Sequence, residues 1–166
     1  MHWDGDADLV EVVDTAHRIL LYMPREHVLA QNLPHKVVIL LLKASNHECL
    51  FGVTEEGMLD VPYQTICHAG LACEDEAQTL LEQAFPHAKA KFHFLPPLIT
   101  DQNKIVLSTL GATVPGSILQ RKCSEFGKKT YVLLDATAFA NLKSLGMSSY
   151  LRLLVEHHIF EHFLPG

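Results

Sequence analysis

The longest unbroken apolar run in the chain, Val37 to Leu42, is a strand length and far too short to cross a bilayer. A buried strand, not a long helix, must therefore organise the fold. Lys36 to Lys43 is expected to form it, with Ala44 to His47 as a turn and Glu48 to Val53 as the return strand. Upstream, Leu9 to Val13 alternates weakly and meets the turn residues Asp14-Thr15-Ala16-His17. Arg18 to Met23 then completes a hairpin. Pro24-Arg25-Glu26-His27 opens one helical turn that ends before Pro34.

The clearest helix runs from Glu74 to Phe85. Ala77, Leu80, Leu81, Ala84 and Phe85 form one apolar stripe, Glu74, Asp75 and Glu76 suit the positive end of the helix dipole, and Pro86 stops it. Strands are expected at Lys91 to Leu95, Lys104 to Thr113 and Lys129 to Leu134. A short helix is expected at Ala136 to Leu142, and a last helix from Ser149 to His162. Gly57 to Gly70 and Gly116 to Gly127 read as open loops. The order strands, helix, strands, helix, with no repeat and no linker, implies one α/β or α+β domain over residues 1–166.

A chain of 166 residues that is 48% hydrophobic can bury a core of ordinary size. Its formal net charge of -6 argues against a general nucleic-acid binder, which needs clustered Lys and Arg. The adjacent basic pairs, Arg121-Lys122 and Lys128-Lys129, read as solvated loop charges. The N-terminus, Met1-His2-Trp3-Asp4-Gly5-Asp6, lacks the apolar run of a signal peptide. Cys49, Cys67, Cys73 and Cys123 form no CxxC pair, so a reducing cytoplasm is expected.

Several strings in order resemble the Nudix superfamily, closest to the isopentenyl-diphosphate isomerase branch. They are Val13-Asp14, Pro24-Arg25-Glu26, Ala30-Gln31, His35 ahead of the buried strand, and Gly57-Met58-Leu59-Asp60 just before the position of the Nudix box. The resemblance covers nearly the whole chain and implies a Nudix-like α/β/α sandwich around a mixed β-sheet. In that family, glutamates on one face of the box helix hold divalent ions against a diphosphate, and the ions activate the attacking water. Read on from Gly57, the box positions hold Thr65 for glycine, Leu71 for the first glutamate, Thr79 for arginine and Leu80 for the next glutamate. Leu81 keeps the hydrophobic position, Gln83 and Ala84 replace the glutamate pair, and Pro86 replaces the last glycine. Every glutamate of the box is gone, and the basic pair that relatives carry after the second core strand is replaced by Phe51-Gly52-Val53-Thr54.

The resemblance therefore implies a catalytically degenerate module. It would bind a protein partner or a nucleotide-like small molecule through the former substrate cleft, at Gln64, Thr65, Cys67, His68, Leu80, Gln83 and Ala84. The alternative is a divergent hydrolase of nucleoside-diphosphate-linked compounds, with Mg²⁺ or Mn²⁺ held by Glu76 and a later acid. Asp101, Glu125 and Asp135 are the later acids, otherwise solvated charges. Glu82 lies about 200° round the helix from Leu80 and faces away.

Cys67-His68, with Cys73 close behind, is either a nucleophile or soft-metal site or simple loop packing. The isomerases carry their cysteine where Gln64 stands. His35, and nearby His27, fall where those enzymes place metal-binding histidines; the other reading of His35 is a hydrogen-bonded structural residue. His158 and His162, one turn apart, could clip a transition metal or line an amphipathic face. The sequence specifies no nucleic-acid partner and no membrane segment. Homodimerisation fits the fold class without a specified interface.

Overall fold

The computed structural model describes residues 9–14, 16, 18–100, 104–125, 127, 129–142 and 146–164. The N-terminal hexad, Asp101 and Lys128 lie outside the described residues. The buried run forms β3 (Lys36–Lys43), in which every residue from Val37 to Leu42 is at most 4% exposed. Burial on both faces follows from its place inside the sheet. One edge pairs in parallel with β9 (Val106–Thr113), and the other pairs antiparallel with β6 (Tyr63–Ile66) and, at its far end, with β4 (Cys49–Val53). A strand covered on both faces needs no polar alternation, which is why it reads as a continuous apolar run.

The remaining strands extend this sheet. β10 (Thr130–Leu134) and β5 (Leu59–Asp60) pair with β4, while β7 (His93–Phe94) and β8 (Leu98–Ile99) pair with β9. Alternate residues of β3 face two cores. Val38, Leu40 and Leu42 meet Ala77, Leu81 and Phe85 of or just after α2 (Cys73–Ala84), together with Leu119 of α3 (Gly116–Cys123). Val37, Ile39 and Leu41 meet the other face, built by α4 (Ala136–Leu142), α5 (Ser149–Glu156) and α6 (Ile159–Phe163). The result is an α/β/α sandwich around a mixed sheet.

A separate antiparallel hairpin, β1 (Leu9–Val13) with β2 (Ile19–Pro24), leads into α1 (Arg25–Ala30). Val10 and Val12 pack with Val28 of α1 in a small third core. β2 turns the opposite way. Ile19, Leu20, Leu21 and Tyr22 are 48%, 61%, 45% and 55% exposed, so four consecutive large apolar residues face water.

Three expected segments differ. The loop expected from Gly57 to Gly70 contains β5 and β6, the latter held against β3 at Val37 to Leu40. The loop expected from Gly116 to Gly127 contains α3, which Pro115 enters at φ -57 and which buries Leu119. Arg121 is exposed, but Lys122 is not a free loop charge: its Nζ pairs with Glu125 at 2.9 Å and lies over the Phe85 ring. Lys129 likewise donates to Val61 O at 2.8 Å and pairs with Asp60. The last helix breaks at His158, which takes φ 59. The break turns His158 and His162 to solvent and drives Ile159, Phe160 and Phe163 into the core.

Phe163 reaches the middle of the sheet because β9 has a glycine there. A Cβ on Gly111 would lie 2.7 Å from the Phe163 ring. Lys43 Nζ donates to Phe163 O at 2.7 Å and sits 4.9 Å from the same ring.

Candidate functional site

α2 is the helix on which the box would lie. Ala72 precedes it, and because an alanine side chain accepts nothing, only half of a capping box forms, from Ala72 N–H to Asp75 Oδ2 at 3.2 Å. The positions aligned with the charged residues of the box, in and just before the helix, split by exposure. Leu71, Thr79 and Gln83 are exposed, whereas Leu80 and Ala84 are half-buried against the α2-side core. Glu82 is exposed and accepts from Gln78 Nε2 at 2.9 Å. None of these positions presents a carboxylate to a shared point.

Glu76 is 3% exposed, and one of its oxygens is already engaged. Its Oε1 accepts from the backbone N–H of His68 at 2.9 Å and lies 2.8 Å from His68 Nδ1. The carboxylate thus ties the first turn of α2 to the connection leaving β6. The same connection holds the hairpin, through a bridge between Val10 and His68 and a bond from Ala69 N–H to Leu9 O at 2.8 Å. A divalent ion needs several oxygen ligands, and among the described residues no three His, Cys, Asp or Glu side chains converge to hold one. The residues present do not fit the metal that the fold family implies.

Near Glu76 stand two thiols. Cys67 follows β6 and is 3% exposed, and Cys73 is the first residue of α2 and partly buried. The influence of Cys73, together with burial, pushes the Cys67 thiol up. Cys67, the Ser108 hydroxyl and the Lys36 charge draw the Cys73 thiol down to about 6, opposed by burial and Glu11.

A cavity of about 360 Å³ opens on the other side of β6, beneath α1. Val28, Leu33, Val37 and Ile66 give it an apolar floor, and Arg25, Asn32, His35, Gln64, Thr65 and Tyr150 bring polar groups to its walls. His35 is 4% exposed, and its Nδ1 lies 2.8 Å from Leu33 O. A carbonyl only accepts, so Nδ1 carries the proton in this contact, and a neutral ring keeps Nε2 as an acceptor. Burial raises the Tyr150 hydroxyl above its ordinary value, keeping it a neutral donor. Among the described residues that line it, Arg25 is the one Arg, Lys, Asp or Glu, and none is a cysteine. Such a lining suits an anionic or carbonyl-rich organic molecule with an apolar body.

The expected cleft residues therefore occupy three places. Gln64, Thr65 and His35 share the cavity under α1; Cys67, His68 and Glu76 form the knot between β6 and α2; Ala84 lines a second opening of about 450 Å³ with Phe85, Ile118 and Arg121. Leu80 packs against the α2-side core, and Gln83 faces solvent. His27 is exposed on α1. Glu125 pairs with Lys122, and Asp135 Oδ1 accepts from Ala138 N–H at 2.8 Å in the first turn of α4. His158 Nδ1 contacts Glu161 at 3.1 Å, on a helix broken away from the geometry that would clip a metal with His162. Arg25, Asn32 and Tyr150 were not singled out from sequence; α1 reads as one turn, and nothing local marks Tyr150 as facing it.

No family model matches the sequence, and none of the curated proteins is similar to it in sequence. The fold has clear relatives among solved structures. The protein DR0079 from Deinococcus radiodurans superposes with a TM-score of 0.64 at 10% identity, covering 90% of this chain and 98% of that one. A mutT/nudix family protein from Listeria innocua superposes with a TM-score of 0.57 at 17% identity, covering 79% of this chain and 97% of its own. The chain has the Nudix fold. Among the described residues, no helix is long and apolar enough to cross a membrane.

Proposed function

We propose that this protein is a catalytically degenerate Nudix-fold binding module that takes a nucleotide-like small molecule into the cavity beneath α1. The observation that carries the reading is the fate of the box helix: Leu80 and Ala84 pack where the family holds glutamates, and Glu76 is engaged by His68. The cavity supplies what binding needs. An apolar floor can take a flat ring, Gln64 and Thr65 can hydrogen-bond its edge, and Arg25 can meet an anionic group. Calorimetry with Mg²⁺, Mn²⁺ and a panel of nucleoside diphosphate compounds tests it. The expected result is ligand heat that does not depend on metal. Metal binding that disappears in Glu76→Ala would instead bring forward a divergent hydrolase of nucleoside-diphosphate-linked substrates.

A second reading, binding of a protein partner or a second copy, is favoured by one observation. Among the described residues β2 pairs with β1 alone, and it exposes Ile19, Leu20, Leu21 and Tyr22. Contiguous apolar surface of this kind marks interaction sites. Sedimentation of the wild type and Leu20→Lys decides it: an assembly that the lysine dissolves supports this reading, and a monomer in both removes self-association.

A further inference from the structure

The second opening, of about 450 Å³, shares no lining residue with the cavity beneath α1. One wall is a single side of α3. Ile118, Arg121, Lys122 and, just past the helix end, Glu125 follow one another at steps of three and four residues, which places them on one face. The other wall is the turn that ends α2. His87 takes φ 70 after Pro86, Ala88 N–H donates to Phe85 O at 3.0 Å, and the reversed chain brings Ala88 and Lys89 to the same opening as Ala84. Phe85 and Val114, 7% and 3% exposed, give it an apolar floor with Ile118.

The polar groups on these walls are mostly cations. Lys89, Arg121 and Lys122 outnumber the one carboxylate, Glu125, in a chain whose formal net charge is -6. Glu125 is already paired with Lys122, whose Nζ also lies 5.2 Å from the centre of the Phe85 ring. Lys89 and Arg121 are exposed and have no ion-pair partner among the described residues. The cavity beneath α1 carries amide and hydroxyl groups that can follow the edge of a functionalised ring. Among the described residues lining this opening there is no Ser, Thr, Tyr, Asn or Gln.

We propose that this opening is a second ligand site, for a small amphipathic acid with one carboxylate head on a plain hydrocarbon body. Its volume falls within the roughly 300–1,000 Å³ of small-molecule sites. The body gains by leaving water for Phe85, Val114 and Ile118. The head meets Arg121 and Lys89, and a guanidinium can take a carboxylate through two parallel N–H donors. A body rich in hydroxyl or amide groups is selected against, because those groups would lose water and find no uncharged side-chain partner on the walls. That separates this ligand from the nucleotide-like molecule of the first cavity.

The test titrates octanoate into the ¹⁵N-labelled full chain and follows the amide signals by NMR. Saturable shifts are expected at Phe85, at His87 to Lys89 and at Ile118 to Lys122, with Gln64 to Ile66 and Ile19 to Tyr22 unmoved. Two comparisons probe the head group. Arg121→Glu changes an exposed residue, so its spectrum should otherwise match the wild type, and it should weaken octanoate by about tenfold or more. Octanol, with the same body and no charge, should bind more weakly than octanoate by a similar factor. Three results overturn the proposal: no saturable shift, shifts centred on the cavity beneath α1 or on β2, or octanoate binding that Arg121→Glu leaves unchanged. Octanol binding as tightly as octanoate would also overturn it, since the opening would then take any apolar body. None of these results touches the nucleotide-like ligand, which is tested by its own titration.

Discussion

Along α2, two of the positions that align with charged residues of the Nudix box pack against the core, whereas Thr79 and Gln83 face solvent. Leu80 and Ala84 join the core beside Leu81, and the nearby Glu76 is turned inward to hold His68. Beneath α1, in contrast, the walls stay polar and open, with Arg25, Gln64, Thr65 and His35 above an apolar floor. The two regions are built from different elements: the packed face belongs to one helix, whereas the cavity is assembled from α1, β3, β6 and α5. Substitutions that empty the helix face of carboxylates can therefore accumulate without filling the cavity. In the proposed reading, ligand recognition would rest on pieces of backbone separate from the helix that carries the box positions.

The largest expected effect lies in the helix. Leu81→Ala removes a fully buried side chain and should cost about 2–5 kcal/mol of unfolding free energy. Leu80→Ala, half-buried on the same turn, should cost clearly less. Urea denaturation of both variants checks the contrast, and equal losses would mean that Leu80 is as much core as its neighbour. Next comes Glu76→Leu, which leaves the His68 N–H groups without their acceptor and should cost about 1–3 kcal/mol while leaving ligand affinity in the cavity unchanged. A loss of ligand binding with stability intact would join the two regions that the structure separates. The smallest stability effect belongs to Arg25→Ala. This exposed side chain should change stability by no more than about 0.5 kcal/mol. Its loss should still weaken an anionic ligand by about tenfold, the scale of a charge-assisted hydrogen bond, as titration calorimetry would read directly.

Periodicity carried the parts of the fold that bury one continuous stripe or run. β3 and α4 have their expected limits, and α2 is displaced by one residue at each end. β6 escaped because Tyr63 to Ile66 is short and only half-buried, so pairing with β3 and not side-chain pattern makes it a strand. α3 escaped because Pro115-Gly116 reads as a turn, although proline suits a helix start and Leu119 is the one residue that the helix fully buries. The break at His158 needs a left-handed backbone at a non-glycine residue, which no local signal marks. The site was legible in fragments. Family resemblance pointed to His35, Gln64 and Thr65, which do meet, but not to Arg25 or Tyr150, which reach the same cavity from elements far apart in sequence. Cys67 stood out by position and proves to be buried.

The clasp formed by Phe163 has a consequence for how the chain is made. The hydrogen bond from Lys43 to Phe163 joins residues 120 positions apart. A ribosome adding about 5–20 residues per second needs on the order of ten seconds to travel that distance. For all of that time the side of β3 carrying Ile39 and Leu41 waits for Ile159, Phe160 and Phe163 to be synthesised. That face of β3 therefore stays incompletely covered until the end of the chain is made and α6 closes over Gly111.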